Sequence, residues 1–238
     1  MAQVGRVAVV TGSSKGIGYA IAEALVRAGA SVMVSARHAE EVSAAAARLN
    51  ALGPGRASGV SCDVRRPEAV AELIRRTVAE LGGLDILVNN AGVGYFAPAA
   101  ELSIERWQQT IETNLSGVFY CCREAIPHLR RRGGGWIISI ASLAGKNPMA
   151  GGTAYNASKF GLVGFSEALL LDVRHDNIRV SCLMPGSVAT HFNDHTPSEA
   201  DAWKIQPEDI AQVVMDLLEV PGRTMPSRVE IRPARPPR

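Results

Sequence analysis

A repeated alternation of short apolar runs with segments of helical apolar spacing restricts the fold of this chain more than any other feature. Val7 to Val10 is an apolar run closed by Thr11-Gly12, and Ile17, Ile21 and Leu25 then recur at helical spacing. Strands that are apolar without a polar face are typical of parallel sheets that helices cover on both sides. The alternation therefore predicts an α/β fold with a doubly wound parallel sheet.

The same alternation continues along the chain and predicts about seven strands. The predicted strands are Val7 to Val10, Ser31 to Ala36, Ala57 to Cys62, Asp85 to Asn89, Trp136 to Ala141, Ile178 to Met184 and Arg228 to Ile231. One predicted helix follows the first strand, and a second ends near Leu52. Three more cover about Pro67 to Leu81, Ser103 to Arg132 and Thr153 to His175. No linker-like stretch divides residues 1–238, so we expect a single domain in which 232–238 is a flexible Pro/Arg-rich tail.

Composition and charge exclude several classes of protein. The sequence is 47% apolar and 20% charged, which suits a large core and differs from a disordered chain. Its 25 Lys and Arg against 23 Asp and Glu give a net charge of +2, and five of the arginines lie in 223–238. No nucleic-acid partner is therefore expected. No apolar run approaches the ~18 residues of a membrane span, so no membrane partner is expected either.

The N-terminus and the cysteines favour a cytoplasmic protein. Met1 to Arg6 lacks the charged-then-apolar layout of a secretory signal. His191 and His195 lie close together without a third ligand, so no metal site is predicted. We expect reduced, structural thiols because none of the cysteines has metal-ligand spacing; they are Cys62, Cys121, Cys122 and Cys182.

A glycine-rich turn, Thr11-Gly12-Ser13-Ser14-Lys15-Gly16-Ile17-Gly18, lies between the first strand and its helix. Glycines let a backbone turn tightly and approach a ligand, and a helix N-terminus offers free N–H groups and a positive dipole to a pyrophosphate. The spacing Gly-x-x-x-Gly-x-Gly differs from the commoner Gly-x-Gly-x-x-Gly dinucleotide motif. The turn predicts a dinucleotide phosphate site; the alternative is that the glycines only end the strand.

A basic residue stands where many dinucleotide sites have an acid. A carboxylate about twenty residues after the glycine turn often binds the ribose hydroxyls, but the second strand here ends in Val34-Ser35-Ala36-Arg37. A guanidinium can bind the 2′-phosphate that a carboxylate would repel, and Lys15 would add a second cation. The pair predicts NADP(H) as the cofactor; the alternative is two ordinary solvated cations.

Tyr155 and Lys159 are four residues apart at the start of a predicted helix, so their side chains lie on one face. A phenol titrates near ~10, and a nearby ammonium would stabilise the phenolate and make the phenol a better acid at neutral pH. The spacing predicts Tyr155 as a general acid and Lys159 as the group that lowers its pKa. A lone Tyr-x-x-x-Lys pair also occurs by chance in many helices.

Further polar residues follow other predicted strands in a characteristic order. Ser142 follows the strand that ends at Ala141, Asn89-Asn90-Ala91-Gly92 follows another strand, and Asn114 lies in the long helix. Together with the glycine turn and the Tyr-x-x-x-Lys pair, this order resembles the short-chain dehydrogenase/reductase family in its single-domain branch, over about residues 5–190. The resemblance implies a Rossmann-like, NAD(P)-dependent oxidoreductase.

The resemblance also implies a role for each matching residue. The catalytic residues would be Asn114, Ser142, Tyr155 and Lys159, with Asn114 holding a water that links Lys159 to solvent. Asp63 would contact the adenine ring. The structural alternatives are a helix cap for Asp63, a helix kink for Asn114 and a turn for Ser142. The cofactor-binding residues would be Gly12, Ser14, Lys15, Gly16, Ile17, Gly18, Arg37, Asp63, Val64, Asn90, Ala91, Gly92, Tyr155, Lys159, Pro185, Gly186, Val188 and Thr190.

The expected activity is NADPH-dependent reduction of a small ketone, aldehyde or 3-oxoacyl compound. The alternatives are an alcohol or sugar dehydrogenase of the same family and a non-catalytic NADP(H)-binding sensor or scaffold. A nucleotide-sugar epimerase is less favoured, because such relatives are usually longer. Side chains that could form an apolar wall for the substrate are Phe96, Leu143, Met149, Phe192 and Trp203.

The resemblance also implies a homodimer or homotetramer. The family usually dimerises through its two long helices, here those containing Asn114 and Lys159. The second of these helices offers an apolar seam, formed by Leu162, Phe165, Leu169 and Leu170.

Overall fold

Seven parallel strands form one sheet in the order β3-β2-β1-β4-β5-β6-β7. The computed structural model describes residues 3–237; Met1, Ala2 and Arg238, which belong to the predicted N-terminal segment and tail, lie outside the described residues. The predicted doubly wound sheet of about seven strands is confirmed. The strands are β1 (Val7–Thr11), β2 (Ser31–Ala36), β3 (Arg56–Ser61), β4 (Ile86–Asn89), β5 (Gly135–Ile140), β6 (Ile178–Pro185) and β7 (Arg228–Ile231).

Helices cover both faces of this sheet. They are α1 (Gly16–Arg27), α2 (Ala39–Asn50), α3 (Pro67–Leu81), α4 (Ile104–Ile111), α5 (Gly117–Arg131), α6 (Thr153–Val173) and α7 (Pro207–Glu219). Within residues 3–237, none of them combines the length and the apolar character that crossing a membrane requires.

Each central strand sends alternate side chains into two separate cores, which explains its continuous apolar run. Val9 belongs to the core that includes residues of α3, α5 and α6, and Val10 belongs to the core that includes residues of α1, α2 and α7. Both valines are fully buried. A strand buried on both faces needs no polar side chains. The four cysteines are free and buried in the fold.

Helix α7 is absent from the helices predicted above. It has Pro207 in its first turn, and the Gln206 N–H donates to Asp209 Oδ2 at 2.8 Å as part of a capping box. Its apolar face packs in the same core as α1 and consists of Ile210, Ala211, Val214, Leu217 and Leu218. Both signals, an N-terminal proline and apolar residues at helical spacing, are present in the sequence.

The predicted apolar seam on α6 is wrong in part. Leu162 and Leu169 are buried in the core of their own chain, so they are not available to a second copy. The large exposed apolar residues of α6 are Phe160 and Leu171. Phe165 and Leu170 are only partly buried, so this half of the predicted seam remains accessible. The homodimer or homotetramer stays a prediction.

The chain order of the strands reverses between the neighbouring strands β1 and β4. From β1 the chain proceeds to β2 and β3 on one side, and from β4 it proceeds to β5, β6 and β7 on the other. Loops that leave the carboxyl ends of two such strands diverge and open a crevice in which ligands bind. The glycine turn follows β1 and Asn90 follows β4, so the predicted phosphate site lies at this crevice.

Candidate active site

A cavity of about 610 Å³ is lined by loops that follow six of the seven strands. Most of the predicted site residues contribute to its wall. They are Gly12, Ser14, Lys15, Gly16, Ile17, Arg37, Asp63, Val64, Asn90, Ala91, Gly92, Ser142, Tyr155, Lys159, Pro185, Val188 and Thr190.

Two glycines predicted to bind the cofactor do not line the cavity and have packing roles instead. An added Cβ at Gly18 would lie 2.4 Å from Asn90 Nδ2 and 2.5 Å from the Gly12 carbonyl oxygen, so α1 can approach β4 only with glycine there. The Gly186 N–H donates to the Ile231 carbonyl at 2.8 Å, and an added Cβ would lie 3.1 Å from Pro233 Cδ.

The glycine turn has the conformation of an anion cradle. Gly12 and Gly16 have φ angles of +63° and +59°, in the left-handed region that glycine adopts without strain. Helix α1 begins at Gly16 with no side-chain cap and no acidic residue in its first turn. The N–H groups at this helix end are therefore available to an anion. These features fit the pyrophosphate of a nicotinamide dinucleotide.

Asn90 joins the glycine turn to the loop after β4. Its Nδ2 donates to the carbonyl oxygens of Thr11 and Gly12, both at 2.9 Å. In return, Thr11 Oγ1 accepts hydrogen bonds from the N–H groups of Asn90 and Ala91 at 3.0 and 3.1 Å. The side chain of Asn90 therefore holds the cradle in shape.

Two cations and two acids line the cavity near the ends of β2 and β3. Lys15 and Arg37 are exposed cavity residues, as the NADP(H) prediction requires. The pKa of Asp63 is lowered, mainly by hydrogen bonds from Arg65 and also by the charge of Arg37. Because Arg65 Nε donates to both carboxylate oxygens at 3.0 Å, the Asp63 carboxylate is already engaged within the chain.

Glu41 is a cavity residue that the sequence patterns did not reveal. It lies in the first turn of α2, four residues after Arg37, and its Oε2 accepts a hydrogen bond from Ser14 Oγ at 3.0 Å. Its carboxylate therefore stands in the same cavity as Lys15 and Arg37. The helical position of Glu41 so soon after Arg37 is the signal that would have located it.

Ser142, Tyr155 and Lys159 meet at the cavity wall, where the loop after β5 faces the first turns of α6. The Tyr155 phenol lies close enough to the Ser142 hydroxyl for Ser142 to lower the pKa of the phenol in part. Lys159 Nζ lies 5.7 Å from the centre of the Tyr155 ring and donates to the Ile140 carbonyl at 2.9 Å. A proton donor, a second hydroxyl and an ammonium are thus brought together.

The pKa values differ from the expectation. Burial raises the pKa of the Tyr155 phenol, and the interaction with Ser142 offsets only part of that increase. Burial also lowers the pKa of Lys159 from 10.5 to about 8. The predicted lowering of the Tyr155 pKa by Lys159 is therefore wrong for this structure, because desolvation of the buried phenol determines the direction of the shift.

Asn114 lies behind the cavity wall, at a break in the predicted long helix. A π-helical turn at Glu112–Ser116 separates α4 from α5. π-Helical turns of this kind occur frequently at functional sites. An added Cβ on Gly92 would lie 3.4 Å from Asn114 Oδ1 and 3.8 Å from Lys159 Nζ, so Gly92 lies next to both side chains.

The buried side-chain amide of Asn114 forms three hydrogen bonds, two with the backbone of Val93 and one with Ser158. Its Oδ1 accepts from the Val93 N–H at 2.9 Å, and its Nδ2 donates to the Val93 carbonyl at 2.8 Å and to Ser158 Oγ at 3.0 Å. Asn114 is completely inaccessible to solvent. It therefore connects the loop after β4 to the helix that carries Tyr155 and Lys159.

A buried acid organises the loop after β6. Asp201 is 5% exposed, and its carboxylate pairs with His195 Nε2 and Lys204 Nζ, both at 2.6 Å. Hydrogen bonds from Lys204 and His195 hold the pKa of Asp201 well below its usual range. The Ser198 N–H adds a hydrogen bond of 3.1 Å. Both His195 and Lys204 line the cavity, which the sequence patterns did not indicate.

Two of the five expected apolar wall residues line the cavity. Phe96 follows β4 and Phe192 follows β6, and both contribute to the wall. Leu143, Met149 and Trp203 do not contribute to it, so the expectation holds for the two phenylalanines only.

Comparisons with known proteins agree with this arrangement. The chain matches the family model described as short chain dehydrogenase over residues 6–201. It is 40% identical over 188 residues to D-threitol dehydrogenase of Mycolicibacterium smegmatis, covering 79% of this chain and 72% of the relative.

Solved structures are similar over nearly the whole chain. An alcohol dehydrogenase from the archaeon Thermococcus sibiricus, complexed with 5-hydroxy-NADP, has a TM-score of 0.91 at 30% identity, with 98% of this chain and 99% of that chain covered. A metagenomic short-chain oxidoreductase in complex with NADP has a TM-score of 0.86 at 38% identity, with the same coverage of 98% and 99%. The chain therefore belongs to the short-chain dehydrogenase family of oxidoreductases.

Proposed function

We propose that this chain is an NADP(H)-dependent reductase that converts a ketone, an aldehyde or a 3-oxoacyl compound into the alcohol. The observation that carries the proposal is the proximity of Tyr155 and Ser142 in the cavity that also contains the glycine turn. A carbonyl oxygen placed beside these two hydroxyls would receive hydrogen bonds as negative charge develops on it. The same residues would serve an alcohol or sugar dehydrogenase working in reverse.

The residues around the cavity suit a nicotinamide dinucleotide. The left-handed Gly12 and Gly16 and the N–H groups at the start of α1 would bind the pyrophosphate. Pro185, Val188 and Thr190 would supply part of the wall around the remainder of the molecule. When bound, NADPH supplies the hydride that the carbonyl carbon gains and becomes NADP⁺.

Lys15 and Arg37 support NADP(H) over NAD(H). Both cations line the cavity, and a 2′-phosphate would form charge-assisted hydrogen bonds with them. Two structurally similar proteins were solved with NADP or a derivative of it. Glu41 disfavours NADP(H), because its carboxylate would repel the 2′-phosphate.

Tyr155 would supply the proton that the reduced oxygen gains. The phenol is protonated at neutral pH and therefore has a proton to give, and the negative charge that develops on the carbonyl oxygen would draw that proton to it. Ser142 would stabilise the same oxygen by hydrogen bonding. Lys159, whose pKa of about 8 lies near neutrality, would pass a replacement proton towards Tyr155, and Asn114 would position the surrounding backbone.

Two substrate panels test this proposal, one of carbonyl compounds with NADPH and one of the corresponding alcohols with NADP⁺. In both assays the absorbance of reduced nicotinamide is followed. We expect turnover with NADPH, and a kcat/KM at least about tenfold above that with NADH, equivalent to roughly 1.4 kcal/mol. Cofactor binding should be measured in parallel by nicotinamide fluorescence. Binding of NADPH without turnover on either panel would contradict the proposal and favour a sensor or scaffold.

A further inference from the structure

The ring of Tyr155 lies between two phenylalanine rings that come from distant parts of the chain. The Phe96 centroid is 5.5 Å from the Tyr155 centroid with the ring planes inclined by 57°. The Phe192 centroid is 5.6 Å from it with an inclination of 52°. These distances and angles are those of favourable tilted aromatic pairs. The proton donor is therefore bordered by apolar surface on two sides.

Both phenylalanines leave much of their surface uncovered. Phe96 is 41% exposed and Phe192 is 36% exposed, although each lines a concave site. Large apolar side chains exposed together in a cavity are typical of sites that receive an apolar ligand group. Because both rings contact the ring of Tyr155, a substituent on the carbonyl that Tyr155 serves would reach this surface.

The position of Phe192 depends on the chain around it. An added Cβ at Gly94 would lie 2.5 Å from Phe192 Cζ, so the ring can occupy its place only above a glycine. The Phe192 N–H donates to Thr190 Oγ1 at 3.3 Å. Further along the same loop, His195 Nε2 pairs with Asp201 Oδ2 at 2.6 Å. The end of the loop is fixed by a parallel β-bridge between Ile205 and Val188. The ring is therefore placed before any substrate arrives.

A polyhydroxylated substrate would fit this surface poorly. Aromatic rings offer no conventional hydrogen-bond acceptor or donor, so hydroxyl groups buried against them would lose their bonds to water without replacement. An aryl or comparably bulky apolar substituent would instead gain contact with both rings. This aromatic surface thus differs from a site for the polyhydroxylated substrate that the name of the similar D-threitol dehydrogenase indicates for that relative.

We propose that Phe96 and Phe192 form a binding site for a flat apolar substituent, so that the substrate class is an aryl or similarly bulky apolar ketone. This inference rests on the proposed reductase function. The ketone gains a hydride at its carbonyl carbon from NADPH and a proton at its oxygen from Tyr155, which leaves NADP⁺ and a secondary alcohol.

The test compares acetophenone with dihydroxyacetone at saturating NADPH. The wild type should reduce acetophenone with a kcat/KM at least ~10-fold higher than that for dihydroxyacetone, because contacts with one apolar group change this ratio by ~10- to 200-fold. Phe96→Ala and Phe192→Ala should each reduce the ratio of the two kcat/KM values by ~10-fold or more, and the corresponding leucine variants should retain part of it.

Trp203→Phe is the matched control, because Trp203 belongs to the same loop as Phe192 but does not line the cavity. Its ratio should equal that of the wild type. A wild type that prefers dihydroxyacetone would overturn the proposal, and so would phenylalanine variants that slow both ketones equally. The Kd of NADPH should be the same in all variants, which separates substrate effects from damage to the cofactor site.

Failure of the reductase proposal is distinguishable from failure of this one. If no ketone is turned over, calorimetric titration with 1-phenylethanol in the presence of NADP⁺ still reports on the aromatic site. Binding by the wild type that is lost in Phe96→Ala and Phe192→Ala would support the site while the proposed reaction fails. Equal binding by all three proteins, or none by the wild type, would overturn the site itself.

Discussion

Asn114 and Ser158 share a hydrogen bond of 3.0 Å that joins the π-helical turn to α6, one residue before Lys159. The same amide forms hydrogen bonds with both backbone groups of Val93, in the loop after β4. One buried side chain thus connects three segments that together form the wall behind the cavity. We therefore interpret Asn114 as a positioning residue.

Replacement of Asn114 by alanine should destabilise the fold. It would leave the part-buried N–H and carbonyl of Val93 without their partner, and a polar group that loses its partner away from solvent costs about 1–3 kcal/mol. We expect the free energy of unfolding in urea to fall by roughly 2–4 kcal/mol. Gln108→Ala, on the exposed face of α4, is the control and should change it by less than about 0.5 kcal/mol. Equal unfolding midpoints for the two variants would contradict the positioning role.

Lys159 should make stability depend on alkaline pH. Its pKa falls from 10.5 to about 8 in the fold because burial disfavours the ammonium. Between these values the unfolded chain binds more protons than the native chain, so the free energy of unfolding rises with pH. The wild type should therefore gain stability relative to Lys159→Met from about pH 8 to about pH 10 in urea unfolding experiments. Parallel curves would contradict the burial of a titrating ammonium.

Local patterns predicted the strands and helices well where the spacing of apolar residues fits one kind of element. The apolar run that contains Val9 and Val10 indicated a strand buried on both faces, and helix α3 was predicted with the bounds that it has, Pro67–Leu81. The same patterns indicated one continuous helix where the structure has the π-helical turn at Glu112–Ser116. In that turn Asn114 forms hydrogen bonds with Val93 and Ser158, which are distant in sequence and which local patterns do not indicate.

Glu41 should weaken the binding of NADPH more than that of NADH. Its carboxylate lines the cavity with Lys15 and Arg37, so Glu41→Gln keeps an acceptor for Ser14 and removes only the charge. We expect the Kd of NADPH to fall by about 2- to 5-fold, since partly exposed charge pairs contribute about 0.3–1 kcal/mol, while the Kd of NADH changes little. Glu40→Gln, on the same helix but outside the cavity wall, is the control. Equal effects of the two variants on both cofactors would show that Glu41 does not face the 2′-phosphate.

Asp201 should control the order of the loop that carries Phe192. Because its pKa lies well below the usual range, the carboxylate stays ionised and paired with Lys204 and His195 at neutral pH, and this stabilisation is lost only as the pH falls towards its lowered pKa. Asp201→Asn should raise the KM of the ketone several-fold and speed proteolysis within 191–204. Glu199→Gln in the same loop should do neither. Identical proteolysis of the two variants would contradict a structural role for Asp201.

The sequence predicted the parts of the site that depend on the order of strands and helices and on single residues. The sequence located the glycine turn, Ser142, Tyr155 and Lys159, because each follows a strand or begins a helix. It did not reveal the direction of the Tyr155 pKa shift, since that depends on how much solvent the neighbouring chain excludes. Nor did it distinguish Phe96 and Phe192 from the other candidate wall residues, because their contact with Tyr155 joins three distant segments.

The protonating role of Tyr155 is tested most directly by comparing the wild type with Tyr155→Phe, which keeps the ring between Phe96 and Phe192 but removes the hydroxyl. We expect kcat for ketone reduction to fall by ~10²–10⁴, the effect of losing a general acid, while the Kd of NADPH from fluorescence titration stays within about threefold. Turnover that is unchanged, with NADPH still bound, would contradict the assignment of Tyr155 as the proton donor.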